Sequence, residues 1–178
     1  MNNNSLSNGV IWITGYSAAG KTTMSKQVEI ELAKRNYRTI YLDGDDLREI
    51  FGNNWKFDKK SRIELGSIYF KLCNHLSSQG YVVIISAVAM FDDLLLWIRE
   101  NIPNSIQVYL KVSNDERKLR DAQTKKIFLA TNMTKNDSLY DEPTNADLII
   151  ENHNESDVLV SAITISDFFV ENVLQESI

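Results

Sequence analysis

The sequence is poor in the residues that build disulfides, metal clusters and membrane spans. Its 178 residues include one cysteine, two histidines and two prolines. Cys73 alone cannot form an internal disulfide, and the histidines have no partners at metal-ligand spacing. No apolar run approaches the roughly 20 residues of a membrane helix. Residues 1–9 lack the features of a secretory signal, so we expect a flexible N-terminal arm there and a cytoplasmic location.

Positive charge is also in deficit. The chain has 19 lysines and arginines against 24 acidic residues, a formal net charge of -5. Such a chain has no general attraction for a phosphate backbone or an anionic membrane, so we expect neither nucleic acid nor membrane as a partner. A small anionic ligand remains compatible, because local N–H groups and a few cations decide its binding. The length and the 43% apolar content predict one domain over residues 10–178.

Five short apolar runs alternate with segments of helical character. After the first run, Met24, Val28 and Leu32 recur at helical spacing, and residues 156–175 predict a closing helix. Continuous apolar strands that alternate with helices are typical of a parallel sheet covered on both faces. The runs are VIWIT at 10–14, TIYLDG at 39–44, YVVIISA at 81–87, SIQVYLKV at 105–112 and DLIIEN at 147–152.

One long polar stretch interrupts this alternation. Residues 121–146 have weak periodicity, and their KKIFLA core predicts at most a short helix. Loops of this length inside compact domains are often lids over an active site. We therefore expect a partly ordered lid at about 121–146.

The loop after the first predicted strand carries a phosphate-binding motif. Residues 15–22, GYSAAGKT, match G-x-x-x-x-G-K-[ST] between a predicted strand and a predicted helix. Its glycines let the backbone wrap around phosphates, Lys21 would bridge the β- and γ-phosphates, and Thr22 would hold Mg²⁺. The motif and the strand pattern predict an α/β, three-layer P-loop NTPase fold that binds ATP. The predicted nucleotide-binding residues are Gly15, Ser17, Ala18, Ala19, Gly20, Lys21, Thr22 and Thr23.

A P-loop alone does not separate kinases from nucleotide switches. Residues 134–137, TKND, are similar to the guanine-reading element of GTPases, but they lie in the polar stretch and no D-x-x-G accompanies them. A GTPase-like switch and a non-catalytic nucleotide sensor are therefore alternatives from another functional class.

Acidic residues follow the second predicted strand. Asp43 and Asp45 come where that strand ends, and the carboxyl ends of parallel strands line the ligand crevice. Phosphoryl transfer needs a carboxylate that orients or deprotonates the attacking hydroxyl, and it needs anchors for Mg²⁺. We assign the first role to Asp45 and a contribution to the second to Asp43. The alternative is an acidic turn with a helix N-cap.

From about residue 10 to residue 152 the chain resembles the adenylylsulfate (APS) kinase family. The resemblance rests on GYSAAGKTT, YLDGDDLR, FDKKSR, SAVAMF, KLRD and YDEPTNADLII, in the family order and at similar spacing. It implies an ATP-dependent kinase that phosphorylates the 3′-hydroxyl of a small, nucleotide-type acceptor. Family members commonly dimerise, so a homodimer is a further expectation.

The resemblance also implies roles for individual residues. Arg48 and Arg62 would hold phosphate-type groups of the acceptor, and Phe57 would stack on its base. Ser86 and Ala87 would line the acceptor site, and Arg120 would pack on the adenine of ATP. Guanidinium groups suit these roles because they pair with phosphate and stack on aromatic faces.

The sequence departs from the family on the acceptor side. Residues 64–68 read ELGSI where APS kinases usually carry E-N-[IL]-R-R, and Met90 replaces a proline. The polar stretch is shorter and differs in sequence, and we expect its Lys125 and Lys126 to supply positive charge.

Residues 46–54 and 99–113 resemble the branch of APS-kinase-like proteins in polysaccharide biosynthesis, of which cytidine diphosphoramidate kinase is an example. The favoured acceptor is therefore cytidine diphosphoramidate, used in capsular polysaccharide modification. The alternative is APS in sulfate assimilation.

Overall fold

The computed structural model describes residues 8–52, 55–56, 58–123, 137–153 and 157–174. Within them, helices and strands alternate along most of the chain, as the sequence predicts. The strands are β1 (Gly9–Thr14), β2 (Thr39–Asp43), β3 (Val82–Ser86), β4 (Ser105–Lys111) and β5 (Leu148–Glu151). The helices are α1 (Lys21–Lys34), α2 (Gly44–Ile50), α3 (Lys59–Ser78), α4 (Asp92–Asn101), α5 (Asn114–Gln123) and α6 (Val158–Phe169), which continues as a π-helical turn over Val170–Leu174.

The five strands form one parallel sheet in the order β2-β3-β1-β4-β5. The strand that leads into the phosphate-binding loop therefore lies at the centre, and β2 lies at one edge. Asp43 at the end of β2 is in register with Ser86 at the end of β3. Because all strands are parallel, the residues after their carboxyl ends meet along one edge of the sheet. The α/β P-loop fold predicted from the sequence is confirmed.

Two apolar cores hold helices against the two faces of the sheet. On one face, α1 and α6 pack on inward-pointing side chains such as Ile13 and Ile84, and Met24, Val28 and Leu32 of α1 are fully buried. These three residues recur every four positions, so they form a single stripe along the helix. On the other face, α3 and α4 pack on the alternate side chains of the strands.

Helix α3 shows how local sequence sets one of these elements. Asp58 caps its first turn, because the carboxylate accepts a hydrogen bond from the Ser61 N–H at 2.9 Å. Phe70 and Cys73 then face the core, and Trp12 of β1 meets Phe70 edge to face with ring centroids 4.9 Å apart. Burial raises the pKa of the Cys73 thiol, which makes it an inert core residue.

Three predicted boundaries differ from the structure. Asn8 and Gly9 are not part of a loose arm, because β1 begins at Gly9 and the Asn8 side chain donates to the Ser77 carbonyl at 3.1 Å. The predicted lid begins too early, since residues 121–123 continue α5 and Asp121 is buried there. Residues 124–136 lie outside the described residues, so the lid stays a prediction. The third difference is at the end of the predicted lid. Residues 141–147 pack against α3, α4 and β4 through Asp141 and Asp147.

The described residues contain neither a membrane span nor a cluster of metal-binding side chains. Not one of them has both the length and the apolar character that crossing a bilayer requires. Across the same residues, no group of three or more histidine, cysteine or acidic side chains could hold a metal ion. A divalent cation at this fold would therefore need ligands from phosphate or water in addition to the protein.

Candidate active site

The phosphate-binding loop connects β1 to α1 at the centre of the sheet. Gly15, Ala18 and Gly20 have positive φ angles of 148°, 62° and 88°. A side chain at Gly15 would place its Cβ 2.7 Å from the Leu110 carbonyl oxygen, which explains why only glycine fits there. The loop therefore curls tightly enough to direct backbone N–H groups toward a bound anion.

Helix α1 begins directly after this loop. Gly20 precedes the helix and makes no side-chain capping bond, and the first turn contains no acidic residue. The N–H groups of a first turn and the positive end of the helix dipole favour a phosphate at such a position. A cavity of about 370 Å³ lies beside this loop, and Lys21 and Thr22 in the first turn of α1 line it.

The Lys21 ammonium and the Thr22 hydroxyl point to different partners. Lys21 Nζ donates to the Tyr16 carbonyl oxygen of the loop at 3.0 Å. Thr22 Oγ1 donates to Asp43 Oδ2 at 3.0 Å, so the nucleotide loop contacts the acidic end of β2 directly. The hydroxyl and the carboxylate are both hard oxygen ligands of the kind that Mg²⁺ prefers.

Asp43 is the centre of a hydrogen-bond cluster at the end of β2. Its Oδ2 atom accepts from Tyr41 at 2.6 Å, from Thr22 at 3.0 Å and from Ser86 at 3.0 Å, and its Oδ1 atom accepts from the Asp45 N–H at 2.9 Å. Burial acts to raise the pKa of Asp43, but these four donors outweigh it and hold the pKa below its usual value. Asp43 is therefore an oriented carboxylate that stays ionised.

Asp45 lies in the first turn of α2, one residue past Gly44. It is exposed and lines the same cavity as Lys21 and Thr22. The N-cap alternative is confirmed, because Asp43 caps α2. Asp45 lines the cavity, and its predicted role with the attacking hydroxyl stays a prediction.

The far end of the cavity contains two arginines and two tyrosines. Arg48 donates to the Trp55 carbonyl oxygen at 2.9 Å, and Arg62 donates to the Tyr140 hydroxyl. Burial and the nearby positive charge of Arg48 lower the pKa of Arg62, so an anion between the two arginines would relieve an unfavourable interaction. Tyr69 donates to the Gly44 carbonyl oxygen at 3.1 Å, and burial raises its pKa to about 12.

Arg120 lies on the opposite side of the phosphate-binding loop. Its Nη2 atom donates to the Asn152 carbonyl oxygen at 2.7 Å, and its Nε atom donates to Glu116 at 3.1 Å. The guanidinium plane is thus held beside the start of α1, close to Gly20. This position suits a group that packs on the base of a bound nucleotide.

The cavity brings together most of the residues predicted from the sequence. Gly15 and Ala19 do not line it, since the former packs on β4 and the latter is buried under the loop. Phe57, Lys125 and Lys126 lie outside the described residues and stay predictions. Asp137 of the GTPase-like TKND run instead forms an ion pair with Arg117 at 2.6 Å. The predicted residues that line the cavity are Ser17, Ala18, Gly20, Lys21, Thr22, Thr23, Asp43, Asp45, Arg48, Arg62, Ser86, Ala87 and Arg120.

A family model for adenylylsulphate kinase matches residues 7–151. This chain belongs to the adenylylsulphate kinase family. It is similar to the cytidine diphosphoramidate kinase of Campylobacter jejuni, with 33% identity over 150 residues that cover 80% of this chain and 85% of that protein. It is also similar to the probable adenylyl-sulfate kinase of Archaeoglobus fulgidus, with 29% identity over 148 residues, or 80% of this chain and 94% of that protein.

Solved structures support the fold of this adenylylsulphate kinase family member. The Mycobacterium tuberculosis APS kinase, in a complex with AMPPNP and APS, superposes with a TM-score of 0.80 at 21% identity, covering 90% of this chain and 96% of that one. The family and its named relatives are kinases, so the protein is an enzyme that transfers phosphoryl groups. The predictions of family and enzyme class are confirmed.

Sequence reasoning missed three residues at the site of this family member. Tyr41 donates to Asp43, Tyr140 contacts Arg62, and Asn152 donates through Nδ2 to the Ala19 carbonyl oxygen at 2.8 Å. All three lie at an end of a run quoted above, YLDGDDLR, YDEPTNADLII or DLIIEN, but no role was predicted for them. A usable signal existed for Tyr41, since a residue two positions before Asp43 in a strand must lie on the same face of the sheet.

Proposed function

We propose that the protein transfers the γ-phosphoryl group of ATP to the ribose 3′-hydroxyl of a nucleotide-type acceptor, with cytidine diphosphoramidate as the favoured acceptor. The observation that carries this proposal is the direct contact between Thr22 and Asp43. It joins the phosphate-binding loop to the acidic end of β2 inside one cavity. A donor site and a general base thus lie side by side, as in-line phosphoryl transfer requires.

The donor half of the cavity has the chemistry of an ATP site. The loop N–H groups, the uncapped start of α1 and Lys21 would hold the phosphates, and Arg120 would pack on the base. Thr22 and Asp43 fit Mg²⁺ because both supply oxygen ligands and few protein ligands are needed. When bound, Mg²⁺ neutralises the charge that develops on the phosphates during transfer.

Asp45 is the residue we assign to the attacking hydroxyl. It would accept the proton as the acceptor oxygen forms its bond to the γ-phosphorus and the bond to the bridging oxygen of ADP breaks. Asp43 cannot take this role as readily, since its two oxygens already accept four hydrogen bonds. The α2 turn sets Asp45 beside the phosphates without using its carboxylate as a cap.

The acceptor half of the cavity is suited to an anionic group. Burial and the charge of the nearby Arg48 lower the pKa of Arg62. The two guanidinium groups together would bind a diphosphate-type group. The adjoining wall is small and apolar at Leu65, Gly66 and Ala87. Leu65 and Gly66 belong to the run that departs from the E-N-[IL]-R-R pattern of APS kinases, which supports an acceptor other than APS.

The choice of a cytidine acceptor rests on similarity together with these departures. The Campylobacter jejuni relative is named as a cytidine diphosphoramidate kinase, and its identity to this chain, 33%, exceeds the 29% of the probable adenylyl-sulfate kinase. The match to the adenylylsulphate kinase model favours APS as the second candidate. We assign the product of a cytidine kinase to capsular polysaccharide modification, as for the branch that the sequence resembles.

A coupled ADP-release assay distinguishes the acceptors. Mg-ATP is supplied with cytidine diphosphoramidate, CDP, APS, other nucleoside diphosphates and simple sugars in parallel. We expect selective turnover of the cytidine diphosphoramidate, and phosphorus NMR of the product should locate the new phosphate on the ribose 3′-oxygen. Selective turnover of APS would instead make this a sulfate-assimilation enzyme. ATP binding without turnover of any acceptor would indicate a nucleotide sensor.

The Asp45→Asn variant tests the assigned base. Turnover should fall by about 10²–10⁴-fold, the usual scale of general acid–base catalysis, while ATP affinity stays close to that of the parent. Asp46→Asn is the matched control, because Asp46 is the exposed next residue of α2 and does not line the cavity. Equal turnover in the two variants would remove Asp45 from the mechanism.

A further inference from the structure

The Tyr41 hydroxyl lies at the base of the active site, where it contacts Asp43. It is 2.6 Å from Asp43 Oδ2 and 2.9 Å from Ser86 Oγ. Tyr41 is half-buried on the face of the sheet that α1 covers, and it does not line the cavity. Any influence of Tyr41 on a ligand must therefore pass through a residue that does line it.

Tyr41 contacts two residues that line the cavity, Asp43 and Ser86, and the shorter contact is the one to Asp43. Tyr41, Ser86 and Thr22 each have one hydroxyl proton, whereas the Asp43 carboxylate can only accept. The 2.6 Å separation is within the range of charge-assisted O–H to O⁻ bonds, and it is the shortest of the three hydroxyl contacts to Oδ2. Tyr41 is thus the strongest of these hydroxyl donors to the carboxylate.

The geometry of β2 keeps this donor in place. Tyr41 and Asp43 are two residues apart in a strand, so their side chains leave the same face of the sheet. Ser86 is in register with Asp43 on β3 and reaches the same oxygen. The carboxylate is therefore supported from its own strand and from the neighbouring strand, and the same oxygen also accepts from Thr22 of α1.

We propose that Tyr41 is a positioning residue that holds the Asp43 carboxylate in the orientation used for Mg²⁺-nucleotide binding. The proposal rests on the proposed function and extends it to a residue outside the cavity. Second-layer partners of metal-binding carboxylates typically contribute 10–100-fold to metal affinity or activity. Removal of one hydroxyl oxygen at Tyr41 should therefore change the response to Mg²⁺ while leaving the acceptor site intact.

Tyr41→Phe tests this inference with a change of one atom. We expect the Mg²⁺ concentration for half-maximal activity to rise by about 10–100-fold, with an unchanged KM for the acceptor. Tyr81→Phe is the matched control, because Tyr81 also loses one hydroxyl contact, to Arg38 at 2.7 Å, but lies at the amino end of β3. An unchanged response to Mg²⁺ in Tyr41→Phe would overturn the proposal.

A double-mutant cycle shows whether Tyr41 acts through Asp43. In an Asp43→Ala background, Tyr41→Phe should have no further effect on the Mg²⁺ response, because the acceptor of its hydrogen bond is gone. A full additional loss in that background would assign Tyr41 a packing role and overturn the proposal. If Asp43→Ala does not fold, Asp43→Asn serves as the background, in which the effect of Tyr41→Phe should shrink.

Nucleotide binding separates failure of this inference from failure of the proposed function. Calorimetric titration of ADP with and without Mg²⁺ needs no acceptor. We expect Tyr41→Phe to weaken Mg-ADP binding and to leave metal-free ADP binding unchanged, even if no acceptor is ever turned over. Equal weakening of both would show that Tyr41 supports the loop in general, and would overturn its assignment to the metal-binding carboxylate.

Discussion

Asn152 supports the phosphate-binding loop from the end of β5. Its side chain is buried and donates to the Ala19 carbonyl oxygen at 2.8 Å, while its own carbonyl accepts from Arg120 at 2.7 Å. Gly20 is needed partly for this reason, since a Cβ there would lie 2.9 Å from Asn152 Nδ2. One residue thus fixes both the curve of the loop and the position of the arginine beside it.

The Asn152→Ala variant should therefore lose both stability and nucleotide affinity. It leaves the buried Ala19 carbonyl without its donor, which costs about 1–3 kcal/mol in the free energy of unfolding. Thermal unfolding and ATP titration measure the two effects. In the control Asn101→Ala, an exposed amide loses its bond to the Trp97 carbonyl, and both quantities should stay near those of the parent. If Asn152→Ala left ATP affinity unchanged, the proposal that Asn152 supports the phosphate-binding loop would be contradicted.

Single residues of the site differ in how far the sequence could predict them. Lys21 and Thr22 after β1, and Asp43 and Asp45 at the end of β2, could be predicted to line the cavity because each pair stands within a short run that follows one strand. The contact of Asn152 could not, since its partner Ala19 is 133 positions away and only the sheet order brings them together. Residue-level prediction reached side chains that line the cavity and missed those that hold them.

At the scale of elements, α2 follows β2 without a connecting loop. Gly44 is the first residue of α2, and a Cβ there would lie 3.0 Å from the Ser86 carbonyl oxygen and 3.2 Å from Ala87 Cβ. The absence of a side chain therefore lets α2 start against the end of β3. Asp45 reaches the cavity because its helix begins this close to the sheet.

The Gly44→Ala variant should move α2 and lower turnover. The added methyl group would push the helix away by a few tenths of an ångström, because the atom it meets is backbone. Since a 1 Å displacement of a catalytic group can cost about 100-fold, we expect kcat to fall roughly tenfold with little change in ATP affinity.

Gly52→Ala is the control for Gly44→Ala, measured by steady-state kinetics and thermal unfolding. Gly52 has a φ of 92° and no neighbour within 4 Å, so its substitution should lower stability without lowering kcat. A kcat for Gly44→Ala equal to that of the parent would contradict the requirement for close approach.

Elements were predicted better than their ends. All five strands were expected within one or two residues of their bounds, because buried parallel strands are continuous apolar runs. The start of the lid was placed too early, since residues 121–123 are polar by composition although Asp121 is buried in α5. The π-helical turn after α6 has no sequence signal that periodicity could detect.

On the scale of the whole molecule, the nucleotide loop is anchored to both cores. Its preceding strand β1 is fully buried at the sheet centre, and α1 packs along one face. A ligand that binds this loop only in the folded state must stabilise the entire domain. The sequence predicted the α/β P-loop fold. It did not predict the strand order that places β1 at the centre of the sheet.

Mg-ATP should raise the thermal stability of the protein. At a hundredfold excess over Kd, a ligand adds about 2.7 kcal/mol to the free energy of unfolding. For a chain of 178 residues, this corresponds to a rise in Tm of roughly 5–10 °C. Lys21→Ala should lose most of the rise at the same concentration, whereas Lys26→Ala, on the exposed side of α1, should retain it. An equal rise in both variants would contradict the role of Lys21.

β1 and β2 differ in burial, and the two sides of the site should therefore differ in local stability. Every residue of β1 is buried, whereas every residue of β2, at the edge, is only partly buried. In amide hydrogen exchange, β1 should therefore open only when the whole domain unfolds, while β2 and α2 open at lower cost. Opening of β2 and α2 would then move Asp43, Asp45 and Arg48 while the phosphate-binding loop stays folded.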